Sequence, residues 1–180
     1  MTVAESWVRI ESRLRSHADG ESKPLPLGAA ADEVRLVEAE LGMALPDDVR
    51  KSYALHNGSG RLWICEQGFL MPLVAPTEGL LSGYGVLDLW RAMGDVGEAM
   101  AGEKSSPRGP ILDDWWNRMW VPLTENECGD FVCLDLAPGM GGRIGQVIDW
   151  NHEQGATRVL AVSFREWLAS LTEPTLHPDR

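Results

Sequence analysis

An α+β domain is predicted by three observations: apolar residues recur at helical spacing through much of the first hundred residues, the period then shortens to that of strands, and a brief helical repeat closes the chain. The 180 residues suit one domain, large enough to bury a continuous core without disulfides or metal. The expected division is a domain over residues 1–172 and a short tail over 173–180. A hydrophobic fraction of 44% with 8 Trp excludes a disordered chain and implies that most of the indoles are packed.

The first helix is read from Val3, Trp7, Ile10 and Leu14, which line one face, with Thr2 and Glu5 in the spacing of a capping box. "HADGESKPLPLG" breaks the pattern with Gly and Pro. A second helix runs from about Asp32, a candidate N-cap, to Leu41, buries Val34, Val37 and Leu41, and stops at Gly42. In "ALPDDVRKSYALHNGSG", Pro46 suits a first helical position, Asp47 and Asp48 lie at the positive end of the helix dipole, and Asn57 and Gly58 suit the left-handed stop. "RLWICEQGFLMPLV" reads as one or two strands broken by Gly68 and Pro72. Leu87, Trp90, Met93 and Met100 restore helical spacing, although Gly94 and Gly97 count against it. "AGEKSSPRGP" is expected to be a mobile surface loop.

Thereafter "MWVPLTE", "DFVCLDL", "RIGQVIDW" and "TRVLAVSF" are apolar and β-branched runs at the spacing of an antiparallel meander, and "SFREWLASL" is a closing helix. The Gly-rich connection at 138–142 is the one stretch that looks like a ligand loop. A dinucleotide fingerprint fails there because Ile144 stands where the third Gly belongs and the continuation reads as strand; no Gly-Lys-Ser/Thr occurs anywhere, which excludes a phosphate-binding P-loop. A hairpin between strands at about 131–136 and 144–150 explains the glycines better.

Net charge is −11, from 27 acidic and 16 basic residues, which disfavours nucleic acid and anionic membranes and favours a basic protein partner. Three cysteines without a regular framework suit reduced thiols, and the charged N-terminus lacks a signal-peptide pattern, so a cytoplasmic protein is expected. Cys128 and Cys133 have no second ligand pair, and no metal or cofactor is expected. Of the histidines, His17 and His177 fall in a probable loop and in the tail, while His56 and His152 follow regular elements. A hydrolytic Cys133/His152/Asp149 set, or a catalytic Asp135, is conceivable; the competing readings are a packed small hydrophobe and a carboxylate bonded to turn amides. In "DDWWNRMW", one of Trp115 and Trp116 faces out beside Asp113 and Asp114 if the segment is extended, or both pack beneath the preceding loop.

The N-terminal Trp7, the pattern E-x-x-LG-x-x-LP-(x)6-Y-x-x-x-NG from Glu38 to Gly58, "WVPL", "GDFVCLDLAPG", "GQVI" and "SFREWL" together resemble the SMI1/KNR4 family of the SUKH superfamily. The resemblance implies an α+β domain with a mixed, largely antiparallel sheet flanked by helices, no catalytic residue set, and Trp7, Gly42, Pro46, Asn57, Gly58, Asp130 and Asp135 as its structural motif. Bacterial members look like immunity proteins that neutralise polymorphic toxins; fungal relatives are regulators of cell-wall synthesis. The expectation drawn is an immunity protein that binds a cognate, basic toxin domain through Asp113, Asp114, Trp115, Trp116, Glu125 and Glu127. Its alternatives are a regulatory scaffold and a small hydrolase using Asp135 or Cys133.

Overall fold

Thr2 and Glu5 form the expected capping box: the Thr2 N–H donates to the Glu5 carboxylate at 2.7 Å and the Glu5 N–H to the Thr2 hydroxyl at 3.2 Å. Helix α1, Val3–Ser16, then buries Val3, Trp7 and Ile10 along one face. The structure, a computed structural model, describes residues 1–16, 24–60, 62–65, 68–74, 85–126 and 128–172. His17, Glu127, His177 and the expected tail at 173–180 lie outside the described residues.

Helix α2, Ala31–Leu41, is capped at Ala30 rather than Asp32, because Glu33 reaches back to accept from the Ala30 N–H at 2.7 Å. Gly42 ends it at φ 71°, as expected of a left-handed stop. Pro46 sits one position before α3, Asp47–Leu55, where its missing N–H again costs no helical bond. The end of α3 differs from expectation. His56 is extended, at φ −140°, and terminates the helix by itself, so Gly58 at φ 84° shapes the following turn instead.

Strands β1, Trp63–Cys65, and β2, Gly68–Leu70, pair antiparallel and precede α4, Val86–Ala99. Strands β3, Trp120–Pro122, and β4, Thr124–Glu125, are separated only by Leu123. The Leu123 N–H donates to Val132 at 2.7 Å while its carbonyl accepts from the Met71 N–H at 2.9 Å, so the chain passes from one sheet to another across one residue. β4 joins β2 in a three-stranded sheet of order β1-β2-β4. The second sheet has order β3-β5-β6-β7, with β5 at Phe131–Asp135, β6 at Gln146–Asn151 and β7 at Gly155–Ala161.

The α+β class is therefore as predicted, but there are two sheets, and every strand pair among the described residues is antiparallel; a parallel contact appears only as the isolated bridge between Arg108 and Arg158. The hairpin expectation holds, with Phe131 opposite Trp150 and Asp135 opposite Gln146. Its second strand starts later than expected because Gly145, at φ 87°, still belongs to the turn and donates to the Asp135 carbonyl at 2.7 Å. All five residues of β5 are buried, so both faces of the central hairpin are covered. Helix α5, Phe164–Ser170, starts at Ser163, whose hydroxyl accepts from the Glu166 N–H, and it packs with α1, α3 and the last strands. Trp7, Trp90 and Trp167 are core residues, as the spacing implied.

Candidate functional site

Gly94 and Gly97, which weakened the reading of α4 as a helix, have a packing reason. A Cβ on Gly97 would stand 2.6 Å from Trp116 Cδ1, and one on Gly94 would stand 3.1 Å from the Arg118 guanidinium carbon. The helix thus receives the 116–118 segment at close range. Beside this seam a cleft of about 350 Å³ opens, lined by the end of α4, by residues 100–103 and by Asp114, Trp115, Trp116 and Arg118. Residues 101–110 form the expected surface connection, and backbone hydrogen bonds tether it. The Ser105 N–H donates to Asp113 at 2.7 Å, the Trp115 N–H to Glu103 at 3.2 Å and the Arg108 N–H to Thr157 at 2.8 Å, which ties the segment to its neighbours on both sides.

Four of the expected partner-binding residues are brought together here. The carboxylates of Asp113 and Asp114 both meet Lys104 Nζ, at 3.0 and 3.1 Å, and their hydrogen bonds raise the lysine pKa. Asp114 also accepts from Asn117 Nδ2 at 2.7 Å. An acidic rim with no internal counter-ion is therefore not what this chain presents at these two positions. Neither indole projects as an isolated anchor: Trp116 is 8% exposed and packs edge-on against Trp120 and Trp150, and the half-buried Trp115 packs edge-on against Trp150 at 5.0 Å. Residues 115 and 116 lie in a bend, where successive side chains need not oppose, so the reading in which both indoles pack is the nearer one. Glu125 stands in β4, in the other sheet, and Glu127 lies outside the described residues. Sequence reasoning missed Glu98, Glu103 and Arg118 in the cleft lining; the available signal was a pair of glycines three apart within a helical stretch.

The motif residues act as joints between elements. Trp7 Nε1 donates to Ser52 Oγ at 2.8 Å and its ring lies 4.8 Å from that of His56, joining α1 to α3. Asn57 Oδ1 accepts from the Leu73 N–H at 2.9 Å, and its Nδ2 donates to Glu33 at 3.3 Å. Asp130 ties the β4–β5 connection to the end of β6, accepting from Asn151 Nδ2 at 2.9 Å, from the His152 N–H at 3.1 Å and from Asn126 Nδ2 at 3.4 Å, with His152 Nδ1 at 2.9 Å. Burial alone would push its pKa up, but the hydrogen bonds from His152 and Asn126 outweigh that and leave it below the ordinary value.

The imagined hydrolytic set is not assembled. His152 pairs with Asp130, while Asp149 meets Thr157 at 3.2 Å and Arg158 at 3.4 Å. Cys133 is fully buried, and burial, helped by the charges of Asp135 and Asp149, pushes its thiol far from the nucleophilic thiolate. Among the described residues, no three His, Cys, Asp or Glu side chains form a metal-ligand group.

Asp135 is buried and bonded to the turn that follows it: Oδ1 accepts from the Ala137 N–H at 3.0 Å and Oδ2 from Gln146 Nε2 at 2.8 Å. The indole of Trp120, opposite in the ladder, helps hold the pKa down without a hydrogen bond of ordinary geometry. Desolvation still wins and raises the pKa. A carboxyl raised in the folded state adds stability that is full below its unfolded pKa and is lost as pH rises through the folded one. Asp135→Asn removes that titration and sets an amide donor against Gln146 Nε2, which cannot turn over without losing its bond to the Pro110 carbonyl. The variant is expected to lose about 1–3 kcal/mol of stability, with the gap from wild type widest at acid pH. Denaturant midpoints across the carboxylate range check this; a gap that grows towards neutral pH contradicts it.

The profile of the SMI1/KNR4 family (SUKH-1) matches residues 28–170. The chain belongs to the SMI1/KNR4 family. Among SMI1/KNR4 relatives, the cell wall biosynthesis/cell cycle regulator smi1 of Schizosaccharomyces pombe is 31% identical over 187 residues, covering 93% of this chain and 35% of the relative. The glucan synthesis regulatory protein of Neurospora crassa is 23% identical, covering 95% of this chain and 38% of the relative. The cell wall assembly regulator SMI1 of Saccharomyces cerevisiae is 20% identical, with 92% and 39% covered. The chain spans about a third of the length of these relatives. They are named as regulators and not as enzymes.

These SMI1/KNR4 names overturn the expected immunity function: the similarity runs to fungal regulators of the cell wall, and the regulatory alternative fits better. A cognate toxin therefore no longer serves as the expected partner. The charge argument for a basic protein partner stands apart from that assignment. Among the described residues, no helix is long and apolar enough to cross a membrane.

Proposed function

We propose that this chain is a non-catalytic regulatory domain that acts in the cytoplasm by binding other proteins, in the control of cell-wall synthesis. The observation that carries the reading is the match of more than nine-tenths of the chain to relatives named as regulators of cell-wall or glucan synthesis. The local chemistry supports it. Asp135 and Cys133, the residues a hydrolase would use, are committed to a buried hydrogen-bonded turn and to the core.

A direct test replaces the matching third of the fission-yeast relative with this chain and scores growth on an inhibitor of glucan synthesis. The chimera is expected to restore resistance to a strain lacking the relative. A chimera that accumulates to the normal level yet leaves cells as sensitive as the deletion would sink the regulatory reading.

A further inference from the structure

We propose that the cleft between the end of α4 and Asp114–Arg118 receives an arginine side chain from a basic segment of a partner protein. The proposal rests on reading the chain as a protein-binding regulatory domain and names the chemistry of its partner. Three carboxylates, Glu98, Glu103 and Asp114, line the cleft against one guanidinium, that of Arg118. Arg118 is held by Glu98 at 2.6 Å, and Asp114 shares Lys104 with Asp113. The uncompensated charge therefore falls on Glu103, which is exposed in the lining, and on the Asp113–Asp114 pair, which has one lysine between two carboxylates. α4 has no basic residue of its own in its last turn, and the one cation beside that turn, Arg118, is already paired with Glu98. A cation gains from the Glu103 carboxylate, in a chain whose net charge of −11 draws basic partners.

The aromatic lining selects a guanidinium over an ammonium. Trp115 is half-buried in the lining, and a planar guanidinium stacks on indole surfaces where a hydrated ammonium fits poorly. Trp116 is more than nine-tenths buried, and its Nε1–H has no acceptor among the described residues. Trp116 belongs to the same lining, with its Cδ1 packed on Gly97 of α4. An arginine thus matches the cleft in two ways, by its charge and by its planar face.

The test titrates the full chain with acetylated, amidated Gly-Gly-Arg-Gly-Gly and follows the indole N–H resonances. Those of Trp115 and Trp116 are expected to move while those of Trp7 and Trp167, on α1 and α5, stay put. Glu103→Lys and Ala101→Lys, both at exposed lining positions, are expected to weaken binding by about fivefold each with unchanged melting, and added salt should weaken it further. No movement of Trp115 and Trp116 up to millimolar peptide, the same movement with a glutamate peptide, or full affinity in both lysine variants overturns the proposal. Equal affinity for the lysine peptide overturns the guanidinium assignment. A chain that restores resistance in the chimera but ignores the arginine peptide loses only this cleft; one that binds the peptide and fails in the chimera loses only the regulatory reading.

Discussion

Trp150→Ala is expected to lower the free energy of unfolding by about 4 kcal/mol, the middle of the range for emptying a large aromatic site. The residue is 1% exposed and stands at the centre of an aromatic group: Phe131 stacks on it at 5.1 Å, and Trp115 and Trp116 meet it edge-on at 5.0 and 5.5 Å. Its Nε1 donates to the Trp115 carbonyl at 2.8 Å, so the hairpin is tied through this one side chain to the segment that lines the cleft. Truncation would leave a cavity and also strip that carbonyl of its donor. Trp150→Phe keeps most of the volume and loses only the donor, with an expected cost of about 1–2 kcal/mol. Urea denaturation of both variants provides the measurement. An alanine variant within about 1 kcal/mol of wild type would show that the aromatic group does not hold the hairpin to the cleft.

How much of this was legible in the sequence follows from the range over which each signal acts. Helix α1 was legible because its cap and its apolar face are local, and Thr2, Glu5, Val3, Trp7 and Ile10 all do what their spacing implies. The β5–β6 hairpin was legible for the same reason. Crossing between sheets at Leu123 was not legible, since it depends on Met71 and Val132, remote in sequence and carrying no pattern that points to one another. For Trp115 and Trp116 the sequence left two readings, and the structure is nearer to the one in which both pack, because residues in a bend need not alternate. Nor was the cleft visible: Gly94 and Gly97 signal close approach in a helix, but only the fold shows that the approaching groups are Arg118 and Trp116. Function was the least legible, because shared motifs report the fold and leave open the role it serves.

Two glycines that carry the family pattern should respond differently to the same substitution. Gly42 and Gly58 both have positive φ, 71° and 84°, so alanine at either position pays the left-handed penalty of about 1 kcal/mol. Around Gly42 a Cβ meets nothing within 4 Å. Around Gly58 it would stand 2.7 Å from the Leu70 carbonyl oxygen and 2.8 Å from backbone atoms of Met71 and Pro72. Those are main-chain atoms at the exit of β2, where the Ser59 N–H already donates to Leu70 at 2.8 Å, so relief requires moving the strand and breaking that bond. Gly58→Ala is therefore expected to cost about 3 kcal/mol or more, the left-handed penalty plus overpacking, against about 1 kcal/mol for Gly42→Ala. Asparagine separates the two causes, because it tolerates the left-handed region but still carries a Cβ. Gly42→Asn should recover most of the loss seen with alanine, whereas Gly58→Asn should recover little. Denaturation of the four variants decides it: if asparagine rescues both sites equally, backbone conformation alone explains the Asn57-Gly58 motif, and the close approach of Leu70–Pro72 to α3's exit is not what requires glycine there.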